Sequence, residues 1–200
     1  MNNVAFIDME GVLIPEIWPY LGDTLNIKEL SLTTRDEPDY LLLMKNRIEC
    51  LKKNQINFRR VEELVNQLNP LPNANAFLQS LKNKSYEIYI VSDCFYQLLD
   101  GFFSKLAIAK SSAHCHNLID DDEGFISLIS YSRTRGKHEV VERHNDGFNM
   151  SIAVGDAFND FSMLQAVDKG FLFSPSDTVK QQTPNNIQIV YDYDEIILSV

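Results

Sequence analysis

Three short apolar runs punctuate the chain, and each stops abruptly at acidic or small polar residues. Val4–Ile7 is followed by Asp8, Glu10 and Gly11, Tyr86–Val91 by Ser92 and Asp93, and Met150–Val154 by Gly155 and Asp156. Runs this short that are apolar on both faces predict central strands of a parallel sheet. Acidic or small residues at their ends mark the ligand-facing edge of such sheets. Gly170–Phe173 and Ile187–Val190 predict two further strands. Between the strands, apolar residues recur at helical spacing: Ala74, Phe77, Leu78 and Leu81, then Phe95, Leu98, Leu99 and Phe102. Alternating strands and helices predict an α/β fold, a doubly wound (Rossmann-like) parallel sheet with right-handed crossovers.

Two stretches break this rhythm. Residues 16–69 carry Leu41, Met44, Ile48 and Leu51 on one helical stripe and Val61, Leu64, Val65 and Leu68 on another, with no strand pattern. Asn69-Pro70-Leu71-Pro72 then stops the helix, because proline disfavours helical backbone at the preceding residue. The expectation is a small helical cap over 16–69, inserted into an α/β core of residues 1–15 and 70–200. In His114–Ser130, the sequence Asp120-Asp121-Asp122-Glu123-Gly124 separates two strand-like pieces and predicts a hairpin.

Two hundred residues suit one domain with a modest insertion. An apolar share of 44% with 23% charged residues excludes disorder as the dominant state. The net charge of −10 opposes non-specific nucleic-acid binding, which needs surplus cations, yet permits a local cationic pocket. Cys50, Cys94 and Cys115 are odd in number and widely spaced, fitting neither a disulfide framework nor a CxxC metal site. Met1-Asn2-Asn3-Val4 does not read as a signal peptide, and no apolar stretch approaches the roughly 20 residues that span a bilayer. The expectation is a soluble cytoplasmic protein acting on a small molecule, with neither membrane nor nucleic acid as partner; a homodimer is compatible with it.

Neighbouring strand ends would bring Asp8, Glu10, Ser92, Asp156 and Asp160 into one crevice. Crowded carboxylates raise each other's pKa unless a cation neutralises them. Hard oxygen ligands of this kind favour Mg²⁺, which commonly shares its shell with a phosphate. Ser92-Asp93-Cys94, read as a strand-to-helix turn, offers N–H groups and a hydroxyl to an anion. Lys137, in Arg135-Gly136-Lys137, opens a helical stretch and can supply a positive charge; Arg135 is the alternative.

With these clusters in order (Asp8-Met9-Glu10-Gly11-Val12, Ser92-Asp93, Lys137 and Gly155-Asp156-Ala157-Phe158-Asn159-Asp160) the chain resembles the haloacid-dehalogenase superfamily of phosphohydrolases over essentially its whole length. The commonest family pattern has Asp two residues after the first Asp, where this chain has Glu10. That departure, with Glu10-Gly11-Val12-Leu13-Ile14-Pro15-Glu16-Ile17-Trp18 and Thr33-Thr34-Arg35-Asp36-Glu37-Pro38-Asp39-Tyr40, resembles the phosphoserine phosphatase branch described as bifunctional with homoserine phosphotransfer.

The resemblance implies hydrolysis of a small phosphate ester through an aspartyl-phosphate on Asp8. It implies Mg²⁺ held by Asp8, Asp156 and the Glu10 backbone carbonyl, with Asp160 in the same acidic set. Ser92, Lys137 and Asn159 would hold the phosphoryl oxygens, with Asp93 in the same loop. Glu10 would act as acid and then base, with burial raising its pKa from roughly 4.3 toward about 6–7. Glu16 would meet a substrate ammonium and Arg47 its carboxylate, a planar guanidinium matching a carboxylate in bidentate fashion. Arg35 and Asp36 are further candidates for that pocket.

Structural readings stand beside these. Asp156 and Asp160 alone fit a helix N-cap and first turn, and Lys137, Glu16 and Arg47 alone fit solvated helix faces. His114-x-His116 puts two imidazoles on one strand face without a third ligand, which favours a structural pair. His138 and His144 read as surface residues, Cys94 as a small buried thiol, and Trp18 as packing the cap onto the core or lining its pocket. Asp120–Glu123 lacks the spacing of a calcium loop and reads as a solvated turn. Competing functions are a phosphatase for another ester such as a sugar phosphate, a receiver-like domain that retains its phosphoryl group, and a non-catalytic phosphoryl-binding protein.

Overall fold

The computed structural model describes residues 2–33, 36–37 and 39–200. Its strands are Asn3–Ile7 (β1), Tyr86–Phe95 (β2), Ala113–Asp120 (β3), Ile126–Ser130 (β4), Ser151–Gly155 (β5), Lys169–Phe173 (β6) and Ile187–Val190 (β7). They form one sheet in the order β4-β3-β2-β1-β5-β6-β7, parallel except for the antiparallel β3–β4 hairpin. Helices are Ile17–Leu25 (α1), Tyr40–Lys53 (α2), Phe58–Val65 (α3), Ala74–Asn83 (α4), Tyr96–Lys105 (α5), His138–His144 (α6), Phe161–Leu164 (α7), Asp177–Gln181 (α8) and Tyr193–Ser199 (α9).

The central strands are buried on both faces, which explains their continuous apolar character. Along β1, Val4 and Phe6 pack with Val91, Val140 and Ala153 on one side, while Ala5 and Ile7 join Ile90, Ile152 and Val154 on the other. Register positions the chemistry: Ile7 lies opposite Ile90 on β2 and Val154 on β5. The acidic residues after all three strands therefore emerge at one edge, at the point where the strand order reverses.

Between β1 and α4 the described residues hold only helical elements, as the sequence predicts. Asp39 caps α2 by accepting from Leu41 N and Leu42 N, and Asn57 caps α3 by accepting from Arg60 N. The apolar stripe of α2 is rotated from the predicted one: Leu43, Met44, Arg47 and Leu51 are buried, whereas Leu41 is 61% exposed. Arg47 takes a place that hydrophobic spacing alone assigns to an apolar side chain. The helical segment also leans on the hairpin, where Lys52 Nζ reaches Asp121 Oδ2 at 2.9 Å and Phe58 N donates to Gly124 O at 2.8 Å.

A second difference concerns β2, which continues through Ser92, Asp93 and Cys94 to Phe95, with its register to β3 shifting between Val91 and Phe95. Ser92-Asp93-Cys94 is therefore an irregular strand end and not a helix N-terminus. The predicted helical stripe starts one residue too early, because Phe95 closes the strand and α5 begins at Tyr96.

Candidate active site

The turn after β1 folds back on itself, with Leu13 N and Ile14 N both donating to Met9 O. Gly11 sits there at φ +73°, and a Cβ on it would lie 2.4 Å from Asp156 Oδ2. Glycine is thus required for conformation and for space. Gly155 plays the same spatial part for Asp160, whose Cγ would lie 2.3 Å from an added Cβ. These two close approaches bring the acidic groups together.

Oxygens of Asp8, Asp156 and Asp160 lie within 4.8 Å of one another. Lys137, buried at the start of α6, places its Nζ 2.7 Å from Asp8 Oδ2 and 2.6 Å from Asp160 Oδ1. Asp160 also accepts from the backbone N–H groups of Asp156 and Ala157. Burial pushes the Asp8 carboxyl up to about 8, with Lys137 pulling against it and Asp160 adding to it. Burial and the neighbouring Asp160 and Asp8 push Asp156 well above the usual carboxylate range. Burial works against the Lys137 charge, yet Asp160, Asp8 and Asp93 together hold its pKa above the ordinary lysine value.

A second cation is what this acidic set lacks. One lysine faces three carboxylates, and the Asp156 side chain has no ion pair or hydrogen bond among the described residues. An all-carboxylate oxygen donor set, with the Asp156 carboxylate packed so close to Gly11 that a Cβ there would overlap it, fits Mg²⁺. The Glu10 carboxylate is not part of the cluster: its Oε1 accepts from Ile17 N at 2.8 Å, at the start of α1. Burial raises its pKa, opposed by the Ile17 N–H and by Arg47.

The other side of the crevice comes from β2. Ser92 is 1% exposed and its Oγ accepts from Cys94 N at 3.1 Å. Burial opposes ionisation of Asp93, but Lys137, His116, Arg133 and Asn159 outweigh it and hold the carboxyl far below the usual range. Asn159 Nδ2 donates to Asp93 Oδ2 at 2.7 Å.

The crevice, about 130 Å³, extends from Asp8, Ser92 and Lys137 to Glu16, Trp18 and Arg47 on the helical segment. Glu16 is exposed at the N-terminal end of α1. Arg47 is 6% exposed, with Nη2 donating to Leu32 O at 2.7 Å and its guanidinium 4.7 Å above the Trp18 ring. Its Nε has no partner among the described residues. Burial lowers its pKa, with Glu10 acting in the opposite direction. Arg35 lies outside the described residues, while Asp36 accepts from Thr33 N and Oγ1. Arg135 is on the surface, paired with Glu142, so the buried cation of the crevice is Lys137.

Three residues that reach the site are given no part in it by the sequence reading, which has Tyr40 only as the end of a motif and His116 as a structural residue. Tyr40, from the helical segment, donates its hydroxyl to Asp93 O at 2.8 Å. Arg133 reaches Asp93, and His116 lies beside the same carboxylate. The available signal was the basic run Arg133-Thr134-Arg135-Gly136-Lys137 in an acidic chain. His144 and His138 are half-buried where surface placement was expected; the His144 ring packs at a tilt against Tyr89 and His114. Burial pushes the Cys94 thiol well up, in keeping with a buried, unreactive group.

Comparison with known proteins follows the same lines. A family profile described as haloacid dehalogenase-like hydrolase matches residues 3–168. A phosphoserine phosphatase of Pseudomonas syringae pv. tomato is 32% identical over 97% of this chain and 80% of its own length. Phosphoserine phosphatase ThrH of Pseudomonas aeruginosa is 31% identical, covering 97% of this chain and 93% of the relative. A solved phospho-aspartyl intermediate analogue of phosphoserine phosphatase superposes with a TM-score of 0.77 at 21% identity, covering 100% of this chain and 99% of that one.

Proposed function

The chain belongs to the haloacid dehalogenase-like hydrolase family and is a phosphatase, and from that premise we propose that it hydrolyses O-phosphoserine, with Mg²⁺ and with Asp8 as the residue that carries the phosphoryl group. The observation that carries this reading is the meeting of Asp8, Asp156 and Asp160 within 4.8 Å, with Lys137 2.7 Å from Asp8.

Asp8 attacks phosphorus and forms an acyl phosphate as the ester oxygen leaves, splitting one difficult displacement into two. Glu10, its pKa raised by burial, gives its proton to the departing serine alkoxide. The same carboxylate then takes a proton from the water that cleaves the acyl phosphate, which returns Asp8 and releases inorganic phosphate. Lys137, the Ser92 hydroxyl and Asn159 hold the phosphoryl oxygens in line, where positioning and electrostatics do most of the work. The Asp93 carboxylate is already engaged by cations and Asn159, so its part in phosphate binding falls to its backbone. Asp8, Asp156 and the Glu10 carbonyl would hold Mg²⁺, with Asp160 behind them. An ion held there would shield Asp8 from the dianionic ester and polarise the phosphoryl oxygens.

The helical segment, read as a cap over residues 16–69, supplies amino-acid recognition: Glu16 for the ammonium and Arg47 for the carboxylate. Three free cysteines fit a reducing compartment such as the cytoplasm. Among the described residues no helix is long and apolar enough to cross a membrane.

A second activity, transfer to homoserine, is favoured by one observation: Glu10 stands where the family most often has Asp, and its extra methylene moves the acid–base group outward. The deciding experiment is phosphate release from L-phosphoserine with and without Mg²⁺. Metal-dependent turnover lost by about 10⁴-fold in Asp8→Asn is expected. Normal turnover by that variant would overturn the mechanism. A single stoichiometric phosphorylation without turnover would favour a receiver-like domain.

A further inference from the structure

Arg133 lies four positions before Lys137, and the chemistry above gives it no part. Its side chain is 2% exposed, and its guanidinium is divided among strand-end groups. Nη2 donates to Ser92 O at 2.6 Å and to Asp93 Oδ1 at 2.5 Å, while Nη1 donates to His114 O at 2.9 Å. These contacts fall where β2 and β3 lose regular register, between Val91 and Phe95. The guanidinium therefore stitches two strands together where their own ladder fails. Asp93 carries the connection onward, its second oxygen accepting from Asn159 Nδ2 at 2.7 Å. Asn159 follows β5, and β1 lies between β5 and β2, so this bond crosses the mouth of the crevice.

We infer that Arg133 is a positioning residue for phosphoryl transfer, acting through Asp93 to set the carboxamide of Asn159 that grips the transferred group. A carboxamide nitrogen carries two hydrogens. With one committed to Asp93, the direction of the other is fixed toward the crevice. The planar fork matters, because a guanidinium can serve two carbonyls and a carboxylate at once, whereas an ammonium is a single point charge. Removing it would also free Asp93 to draw on Lys137, whose Nζ is 4.0 Å from Asp93 Oδ2, and so to compete with Asp8 for that cation. This inference rests on the phosphatase reading of the site.

Steady-state kinetics of the full chain with Mg²⁺, on L-phosphoserine and on p-nitrophenyl phosphate, test it alongside inhibition by inorganic phosphate. Arg133→Met and Asn159→Ala are each expected to lower kcat on both esters by about tenfold and to weaken phosphate inhibition together. The double variant is expected within about twofold of Asn159→Ala alone, since coupled residues are non-additive. Asp93→Asn, which preserves volume, should show the same coupling to Asn159→Ala and decides the matter if Arg133→Met does not fold. Losses that multiply, or a lowered melting temperature with unchanged kcat, overturn the relay. If the wild type releases phosphate from neither ester, the phosphatase reading itself fails and the relay with it. Multiplicative losses in an active enzyme sink the relay alone.

Discussion

The two walls of the crevice are built on different principles. The sheet-side wall holds Asp8, Ser92, Lys137 and Asp160, all at most 5% exposed and fixed by strand register and mutual ion pairs. The helix-side wall holds Glu16 and Arg47, whose place depends on how α1 and α2 pack, with Glu16 exposed and Arg47 bonded to a loop carbonyl. Strand register places Asp8 and Ser92, and ion pairs and backbone N–H groups hold Lys137 and Asp160 beside them, whereas side-chain packing among helices dictates the second wall. On the proposed mechanism, chemistry common to many esters would sit on the sheet-side wall and discrimination among esters on the helix-side one.

Lys137→Met strikes the sheet-side wall hardest. It removes the cation that the buried Asp8 and Asp160 share, and Asp8, its carboxyl already pushed up to about 8, takes up a proton in its place, so a stability loss of about 1–3 kcal/mol is expected in metal-free buffer. Turnover should fall by about 10²–10³-fold on every ester, as for loss of an electrostatic transition-state contact. A loss confined to phosphoserine would blur the division between the walls. Arg47→Ala tests the other wall: KM for phosphoserine should rise by about 10–100-fold, the worth of a charge-assisted contact. KM for p-nitrophenyl phosphate should hardly move, and equal losses on both would show that Arg47 does not read the amino acid. Glu10→Asp sits at the junction, and a several-fold shift of product partition from phosphohomoserine toward free phosphate is expected when homoserine competes with water. Unchanged partition removes the phosphotransfer reading.

The smallest effect belongs to His114, outside both walls. Burial, with His144, Arg143 and Arg133 adding to it, lowers its pKa to about 4 from an ordinary 6.5. The unfolded chain takes up this proton as pH falls below about 6.5, while the folded chain refuses it until about 4. Its contribution to stability is therefore complete above that window and declines across it on acidification. In His114→Phe, urea unfolding between pH 6.5 and 4 should show a shallower decline, with kcat at neutral pH unchanged.

Legibility in the sequence follows the same division. Strand runs such as Val4–Ile7 and Met150–Val154 are explicit because burial on both faces leaves no alternation to disguise them. Asp8 and Asp156 are readable because they follow those runs within two positions, and Asp160 because it closes the Gly155–Asp160 cluster that begins there. Lys137 needed the family pattern, since local spacing cannot distinguish a buried lysine from a solvated one. Leu41 and Arg47 exchanged expected places because a crevice, not a uniform apolar core, faces α2. The contacts of Arg133 and Tyr40 are illegible for a simpler reason: their partners, Asp93 and the Asp93 carbonyl, are 40 and 53 positions away in the chain.

The hairpin beneath the helices has a mechanical consequence. Lys52 and Phe58 are moored to Asp121 and Gly124, at the tip of an arm that projects from the sheet's outermost pair of strands. Swinging α2 and α3 away from the sheet would have to bend that arm with them or snap both moorings. The position of α2 and α3 is therefore held in part by a turn more than sixty residues downstream, and removing Lys52 or its partner Asp121 would loosen that hold without altering any group that lines the crevice.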